Sequence, residues 1–239
     1  MTQTLNLSKR LTMVTSFLPK GAAFADIGSD HAYLPCYVCL KDQTARAIAG
    51  EVNEGPYQSA LKTVSHYHLN EAIDVRLGNG LQVLNEQDKV DQIVIAGMGG
   101  ALIKSILEEG QTKLDNVTRI IAQPNIDARN VRKWFVDNNF IITSETIVEE
   151  NQHIYEIIVA DKKENGTLIR QDFTKQQLLF GPMLMENKTK AFYDKWKSEY
   201  EKTKRIIEQI KKATVMDKQK LNQFEEELLW IKEALENEA

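Results

Sequence analysis

Between residues 22 and 160 this 239-residue chain places seven short apolar runs, and most of the gaps between them are long enough to hold a helix. Parallel strands require a crossover of about a dozen residues or more, so this spacing commits the chain to an α/β layout with a mainly parallel sheet. The expected strands are 22–26, 45–51, 73–77, 92–96, 119–123, 140–148 and 153–160. Only Glu149-Glu150-Asn151-Gln152 separates the last two, too short for a crossover, which makes them an antiparallel hairpin. The expectation is five helix-linked strands closed by a hairpin.

Ligands of such sheets bind beyond the carboxyl ends of the strands, so those ends come first. The first run leads into Asp26-Ile27-Gly28-Ser29-Asp30-His31. A dinucleotide fingerprint needs three glycines there, the second to let a pyrophosphate approach the backbone. Here only Gly28 is present, and Asp30 stands in that second position, where its carboxylate repels phosphate. With Asp26 adding a second negative group, the loop suits a ligand carrying positive charge and hydroxyls, features that S-adenosylmethionine has. A strand-to-helix turn with an acidic helix cap is the competing reading.

The other strand ends make a consistent set. Glu51 follows Gly28 by 23 residues, the distance at which an acid meets a ribose diol, with Val52 next to it; a surface acid is the alternative. In Gly78-Asn79-Gly80 the Asn79 amide can meet an adenine edge, with glycine on either side. Ala96-Gly97-Met98-Gly99-Gly100 breaks into three glycines around one flexible side chain, which keeps the sheet edge narrow where a methionine moiety and a substrate would meet. Gln123-Pro124-Asn125 reads as a polar turn whose amides can hold the edge of a base.

These motifs, with Leu7-Ser8-Lys9-Arg10-Leu11, Asp26 through Pro35, Glu51-Val52-Asn53-Glu54-Gly55-Pro56 and Tyr155-Glu156, closely resemble the bacterial tRNA (adenine-22-N1)-methyltransferase family over essentially the whole length. The resemblance implies a class I S-adenosylmethionine-dependent methyltransferase Rossmann-like fold with an antiparallel last strand, plus a C-terminal helical coiled-coil hairpin. It also implies transfer of a methyl group to N1 of adenine 22 in tRNA. Asn79 departs from the acid that methyltransferases often carry beside the adenine amine. On this reading Asp26, Gly28, Ser29, Glu51, Val52, Asn79, Gly80, Gly97, Met98 and Gly99 hold the cosubstrate. Asp30, His31, Gln123 and Asn125 line the reacting centre, His31 being as well suited to a pocket wall as to a participant. Adenine N1 already carries an in-plane lone pair, so positioning can do most of the work and no general base is required.

The C-terminal part is organised differently. Phe192, Trp196, Tyr200, Thr203, Ile207 and Ile210 form one seam at heptad-type spacing, and Leu221, Phe224, Leu228, Ile231 and Leu235 form another. The break at 212–217 between them favours an antiparallel pair, with an extended dimeric coiled coil as the alternative. Domains of 1–165 and 166–239 follow, and Gly181-Pro182 marks a break ahead of the two long helices. The net charge of −4 hides a basic segment: residues 188–220 carry 11 Lys+Arg against 5 Asp+Glu, net +6. Lys188, Lys190, Lys195, Lys197, Lys204 and Arg205, with Lys9 and Arg10, are the expected tRNA contacts; the competing reading is an ordinary solvated helix face.

No run reaches the roughly 18 apolar residues of a membrane span, and the first residues lack a signal-peptide pattern, so the chain reads as cytoplasmic. Cys36 and Cys39 have no second pair or suitably spaced His for a zinc site, and read as packed thiols before a redox pair; no metal is expected. A monomer is expected, with a dimer through the helices left open. Two other functions compete. Methylation of an exocyclic amine, on another base or a protein side chain, would fit Gln123-Pro124-Asn125, although the second proline and aromatic of that motif are missing. A noncatalytic tRNA-binding protein would not need so complete a set of strand-end residues.

Overall fold

The computed structural model describes residues 5–163 and 171–236. The described chain separates into two compact units, one ending at Gly181 and one beginning at Pro182. The first unit holds β1 (Ala23–Ile27), β2 (Arg46–Glu51), β3 (Ile73–Leu77), β4 (Gln92–Gly99), β5 (Arg119–Ile126), β6 (Phe140–Glu150) and β7 (His153–Lys162). Their order across the sheet is β3-β2-β1-β4-β5-β7-β6. The first five strands pair in parallel, while β7 runs antiparallel to both β5 and β6. The fold is therefore the Rossmann-like methyltransferase arrangement with an antiparallel seventh strand.

Alternation along the strands fills both faces of the sheet. Ile93, Ile95 and Ile120 pack on one side with Ile103, Leu107, Trp134 and Phe135, whereas Phe24, Val94 and Ile121 pack on the other with Cys36, Cys39 and Val64. Successive residues of one strand serve opposite cores, which is why the central strands read as continuous apolar runs. The first core is closed by α4 (Gly100–Glu109) and α5 (Ala128–Asp137), the second by α2 (Tyr33–Lys41) and α3 (Glu54–His66). A short helix, α1 (Lys9–Thr15), precedes β1; the Ser8 hydroxyl caps it by accepting from the Leu11 amide at 3.2 Å.

Three expected boundaries are corrected. β4 does not end in a glycine turn at 97 but continues to Gly99, and β5 does not turn at Gln123-Pro124-Asn125 but continues to Ile126. A register irregularity between Ala96 and Met98 accommodates this, with Gly97 at φ +78°. Glycine alone enters that region without cost, so the bulge lets the ladder go on where side-chain patterning suggests an end. The β6–β7 connection is shorter than expected: only Asn151 and Gln152, at φ +50° and +64°, lie between the strands. Two consecutive left-handed residues make the tight turn whose twist matches the flanking strands.

Beyond β7, α6 (Lys175–Phe180) still belongs to the sheet unit. Its Leu178 and Leu179 carbonyls accept from Nη1 of Arg132 on α5. That arginine is fully buried and also meets Glu145 on β6 and Glu156 on β7, each at 2.5 Å. Burial works against the arginine's charge, the two carboxylates outweigh it, and its pKa is raised.

The second unit comprises α7 (Pro182–Glu186), α8 (Lys190–Lys212) and α9 (Lys218–Glu236). Lys188 donates to the Ala234 carbonyl while Lys211 pairs with Glu225 at 2.6 Å. The start of the hairpin thus meets its end, and α8 and α9 run antiparallel. On α8 the expected seam buries Phe192, Trp196, Thr203 and Ile207. On α9 the buried positions are Leu221, Glu227, Ile231 and Ala234, so Glu227 and Ala234 replace Leu228 and Leu235 at the centre of the seam. Gln223, one turn earlier, donates to the Glu227 carboxylate at 3.1 Å.

Candidate functional site

β1 has β2 on one side and β4 on the other, so the chain leaves the sheet in opposite directions from its middle. The crevice opens at that switch point. Gly28 turns the chain at φ +70°, and the Gly28 and Ser29 amides both donate to the Gly50 carbonyl, at 2.9 and 3.1 Å. The loop is thereby folded across the end of β2. Asp30, His31 and Ala32 follow at φ +45°, +71° and +57°. Left-handed non-glycine residues cost about 1–2 kcal/mol each, and a run of three persists only where the surroundings enforce it. α2 begins after this run with Ala32 at its cap and no side-chain cap bond. Neither Asp26 nor Asp30 caps the helix, which removes the competing reading of the loop.

Instead the two acids belong to a carboxylate cluster with Glu51. Asp26 is 3% exposed and accepts from the Ser29 hydroxyl at 2.6 Å. Burial lifts its pKa to about 7; the Ser29 bond opposes the rise, and the charges of Glu51 and Asp30 add to it. Glu51 is 5% exposed and is also pushed up by burial, partly offset by the backbone amides of Asp30 and His31 facing it. Its Oε1 is buried without a hydrogen-bond partner. A buried unsatisfied carboxylate oxygen costs several kcal/mol unless something arrives to donate to it. The cluster therefore suits a ligand that brings hydroxyl donors and positive charge.

The other side of the crevice is made by the β4 bulge. Met98 lies across the turn, its Cε only 2.2 Å from where a Cβ at Gly28 would sit. A side chain there would have to displace the flexible Met98 tip, and φ +70° favours glycine in any case. Val52 and Leu77 stand exposed at the ends of β2 and β3, and the Gly78 amide donates to the Glu51 carbonyl at 2.7 Å. Asn79 is exposed and precedes a short turn over Gly80–Val83.

At the end of β5 the amides are locked. Gln123 is fully buried; its Oε1 accepts from the Gly97 amide at 3.0 Å and from Nη1 of Arg10, and its Nε2 donates to Asn125 Oδ1 at 3.2 Å. Asn125, which is exposed, donates from Nδ2 to the Gly97 carbonyl at 2.8 Å. Arg10 also lies over the Tyr155 ring, 5.0 Å from its centroid. His31 is half-buried, stacked on Tyr33 with ring centroids 5.5 Å apart, and 3.4 Å from Asp30.

Asp26, Gly28, Ser29, Asp30, His31, Glu51, Gly97, Met98, Gln123 and Asn125 thus form linked parts of one crevice. Lys9 and Arg10 belong to the same unit: the exposed Lys9 donates from its amide to Glu150 and from its ammonium to the Glu149 carbonyl at 3.1 Å, and Arg10 reaches Gln123. Tyr155 enters the sequence analysis only through the resemblance, and patterning assigns nothing to the exposed Ile126, 72% accessible, which lies beside Gly99. An apolar residue directly after a polar segment was the only available signal for Ile126.

In the second unit, Lys190, Lys197, Lys204 and Arg205 are all exposed on α8; Lys190 pairs with Asp194 and Lys204 with Glu201. Lys195 and Lys188 lie over the rings of Trp196 and Phe192, at 5.3 and 5.9 Å. Cys36 and Cys39 are free and buried; burial pushes their thiols up to about 12 and about 11, out of the range of reactive thiolates. Among the described residues no group of three or more His, Cys, Asp or Glu side chains is arranged to hold a metal ion, and no helix is long and apolar enough to cross a membrane.

Comparison with known proteins places the chain in a family and supports its fold. The family model described as TrmK, tRNA (adenine(22)-N(1))-methyltransferase, matches residues 24–233. The Bacillus subtilis tRNA (adenine(22)-N(1))-methyltransferase is 42% identical over 235 residues, 98% of each chain. The crystal structure of the B. subtilis enzyme superimposes with a TM-score of 0.88, covering 97% of this chain and all of that one. A Streptococcus pneumoniae relative solved in complex with S-adenosyl-L-methionine is 42% identical, with a TM-score of 0.85, and covers 96% of this chain and all of its own.

Proposed function

The chain belongs to the tRNA (adenine(22)-N(1))-methyltransferase family, and from that premise we propose that its crevice binds S-adenosyl-L-methionine and delivers the methyl group to N1 of adenine 22 by direct in-line attack. The single observation that carries the reading is the buried, unpartnered Oε1 of Glu51 beside the Asp26 carboxyl. That pair fits a ribose diol and a cationic methionine end, and it repels phosphate.

Bound S-adenosyl-L-methionine supplies an electrophilic methyl on a sulfonium. Glu51 accepts the ribose hydroxyls, each charge-assisted bond contributing about 1.5–3 kcal/mol. Asp26 and Asp30 favour the positive end of the ligand, and Gly28 keeps the floor open beneath Met98. Val52 and Leu77 offer apolar flanks for a purine, with Asn79 at its edge. On the acceptor side adenine N1 needs no deprotonation, so the task of Asn125 and the Gly97–Gly99 backbone is alignment, which can contribute roughly 7–11 kcal/mol. Asp30 and His31 form the wall on the donor side.

Extruding the base from its stack costs a few kcal/mol. Phosphate contacts from the helical unit offset that cost in this reading, with Lys190, Lys197, Lys204 and Arg205 exposed on α8. The first unit is the cosubstrate domain and the second the tRNA-binding domain. Incubating an unmodified tRNA transcript with S-adenosyl-L-methionine and analysing its nucleosides tests the proposal. The expected product is 1-methyladenosine, absent when position 22 is guanosine. Methylation on N6, or none while the cosubstrate still binds, would overturn it.

A further inference from the structure

We propose that Arg10 is a positioning residue for the base that accepts the methyl group: through Gln123 it fixes which end of the Asn125 amide faces the substrate. A primary amide can be turned end for end with little change in shape, so its polarity must be imposed by partners of known character. Arg10 has only donors to offer, and it meets the carbonyl end of Gln123. The Gly97 N–H, also a donor, meets the same oxygen at 3.0 Å. The amino end of Gln123 is thereby turned to Asn125, whose Oδ1 must accept it, and this leaves the Asn125 amino group to satisfy the Gly97 carbonyl at 2.8 Å. Orientation is relayed along Arg10, Gln123 and Asn125 without ambiguity.

The relay has a chemical consequence, which rests on the proposed reaction at adenine N1. Asn125 is exposed, and its Oδ1 keeps a second lone pair beyond the bond to Gln123. Methylation of N1 spreads positive charge over the ring and the exocyclic amine, so the amine N–H becomes a stronger donor as the bond forms. An acceptor oxygen at that amine is therefore worth more in the transition state than before it. A reversed Asn125 would present an N–H there and oppose the reaction.

Arg10 is held for this task. Its guanidinium lies over the Tyr155 ring, Nη1 is 3.7 Å from where a Cβ at Gly97 would sit, and Nε is buried without a partner. Gly97, at φ +78°, leaves that space open. A guanidinium engaged with a ring face and a buried amide is placed to orient, whereas phosphate binding calls for an outward fork.

Gln123→Glu separates orientation from packing. It keeps an oxygen on Arg10 and Gly97, adds an ion pair with Arg10, and removes the donor that fixes Asn125. We expect the unfolding temperature and S-adenosyl-L-methionine affinity to hold, KM for tRNA to stay put, and kcat to fall about ten- to a hundredfold. Arg10→Met should lower kcat while leaving the salt dependence of KM for tRNA unchanged. Combined with Asn125→Ala, it should cost no more than Asn125→Ala alone, since both act through one group. Wild-type turnover by folded Gln123→Glu overturns the inference. So does an Arg10→Met variant with unchanged kcat and a salt slope shallower by about 0.7–0.9, the signature of one lost phosphate contact. A wild-type enzyme that forms no 1-methyladenosine at position 22 would instead overturn the reaction on which the inference rests.

Discussion

The protonation state of Asp26 makes the strongest quantitative prediction. Its carboxyl is buried between Ser29 and the charges of Glu51 and Asp30, and its pKa stands near 7 against 3.8 for a free aspartate. Between those values the folded protein holds a proton that the unfolded chain releases. The contribution of this carboxyl to stability is therefore full at and below pH 4, declines as pH rises through 7, and is level above. Three units at 1.36 kcal/mol each make the full decline about 4 kcal/mol. A cationic ligand favours the ionised form, so binding of S-adenosyl-L-methionine should expel this proton. Its Kd should fall by up to about tenfold per pH unit between 5 and 7 and flatten above. Calorimetry at pH 6 and 8, each in two buffers of different ionisation heat, reads both the affinity and the released proton. Asp26→Asn should bind with the wild type's low-pH affinity at every pH, release no proton, and melt higher than wild type at pH 8. If wild-type affinity is the same at pH 6 and 8 with no proton exchanged, or Asp26→Asn keeps the whole pH dependence, the electrostatic account of the crevice is wrong.

Other perturbations probe separate parts. Glu51→Gln should weaken S-adenosyl-L-methionine binding at least tenfold, the equivalent of about 1.5 kcal/mol or more for a lost charge-assisted bond, without lowering the melting temperature; unchanged affinity in calorimetry would reject the ribose assignment. Arg132→Met leaves Glu145 and Glu156 buried without their cation and should cost about 3–5 kcal/mol, seen as a melting temperature lower by roughly 6–20 °C. A chain ending at Gly181 keeps α6 and the whole crevice; it should bind S-adenosyl-L-methionine as the full chain does and lose tRNA methylation, and full-rate methylation would show that the helical unit does not bind substrate. Reversing the charge of Lys188, Lys190, Lys195 and Lys197 should raise KM for tRNA at low salt, by a factor that shrinks as salt rises.

Where the sequence was legible, it was because side-chain pattern and backbone agreed. Ile93 through Ile95 are buried on both faces and read as a strand, and β3 begins and ends where its apolar run does. Legibility failed where one residue's conformation decided the outcome. Gly97 enters a positive-φ bulge and β4 continues, so an apparent turn is a strand, and Gln123 and Asn125 face partners across a ladder. The left-handed run from Asp30 to Ala32 leaves no compositional trace, since glycine is absent from it. Long-range partnership is equally silent: Arg10 is separated from Gln123 by 113 positions, and a basic residue near the start of a chain suggests solvent or phosphate. On α9 the seam buries Glu227, which accepts from Gln223, a polar bond that hydrophobic spacing does not register.

The position of β7 has a consequence for how the enzyme is made. It is the last strand of the sheet to leave the ribosome, yet it lies between β5 and β6 rather than at a margin. Until residues 153–162 emerge, β5 presents an unpaired edge running through Ile120, Ile121 and Ala122, the kind of surface that recruits stray strands. The nascent chain is therefore most vulnerable to aggregation during the translation of roughly forty residues after β5, a matter of seconds at about 5–20 residues per second. Closure comes in one step, because the two-residue turn delivers β6 and β7 as a preformed ribbon. Tyr155 rides on that ribbon, so Arg10, synthesised among the first residues, receives its ring partner only when the sheet is sealed. Sealing of the sheet and seating of the Arg10 guanidinium are the same event.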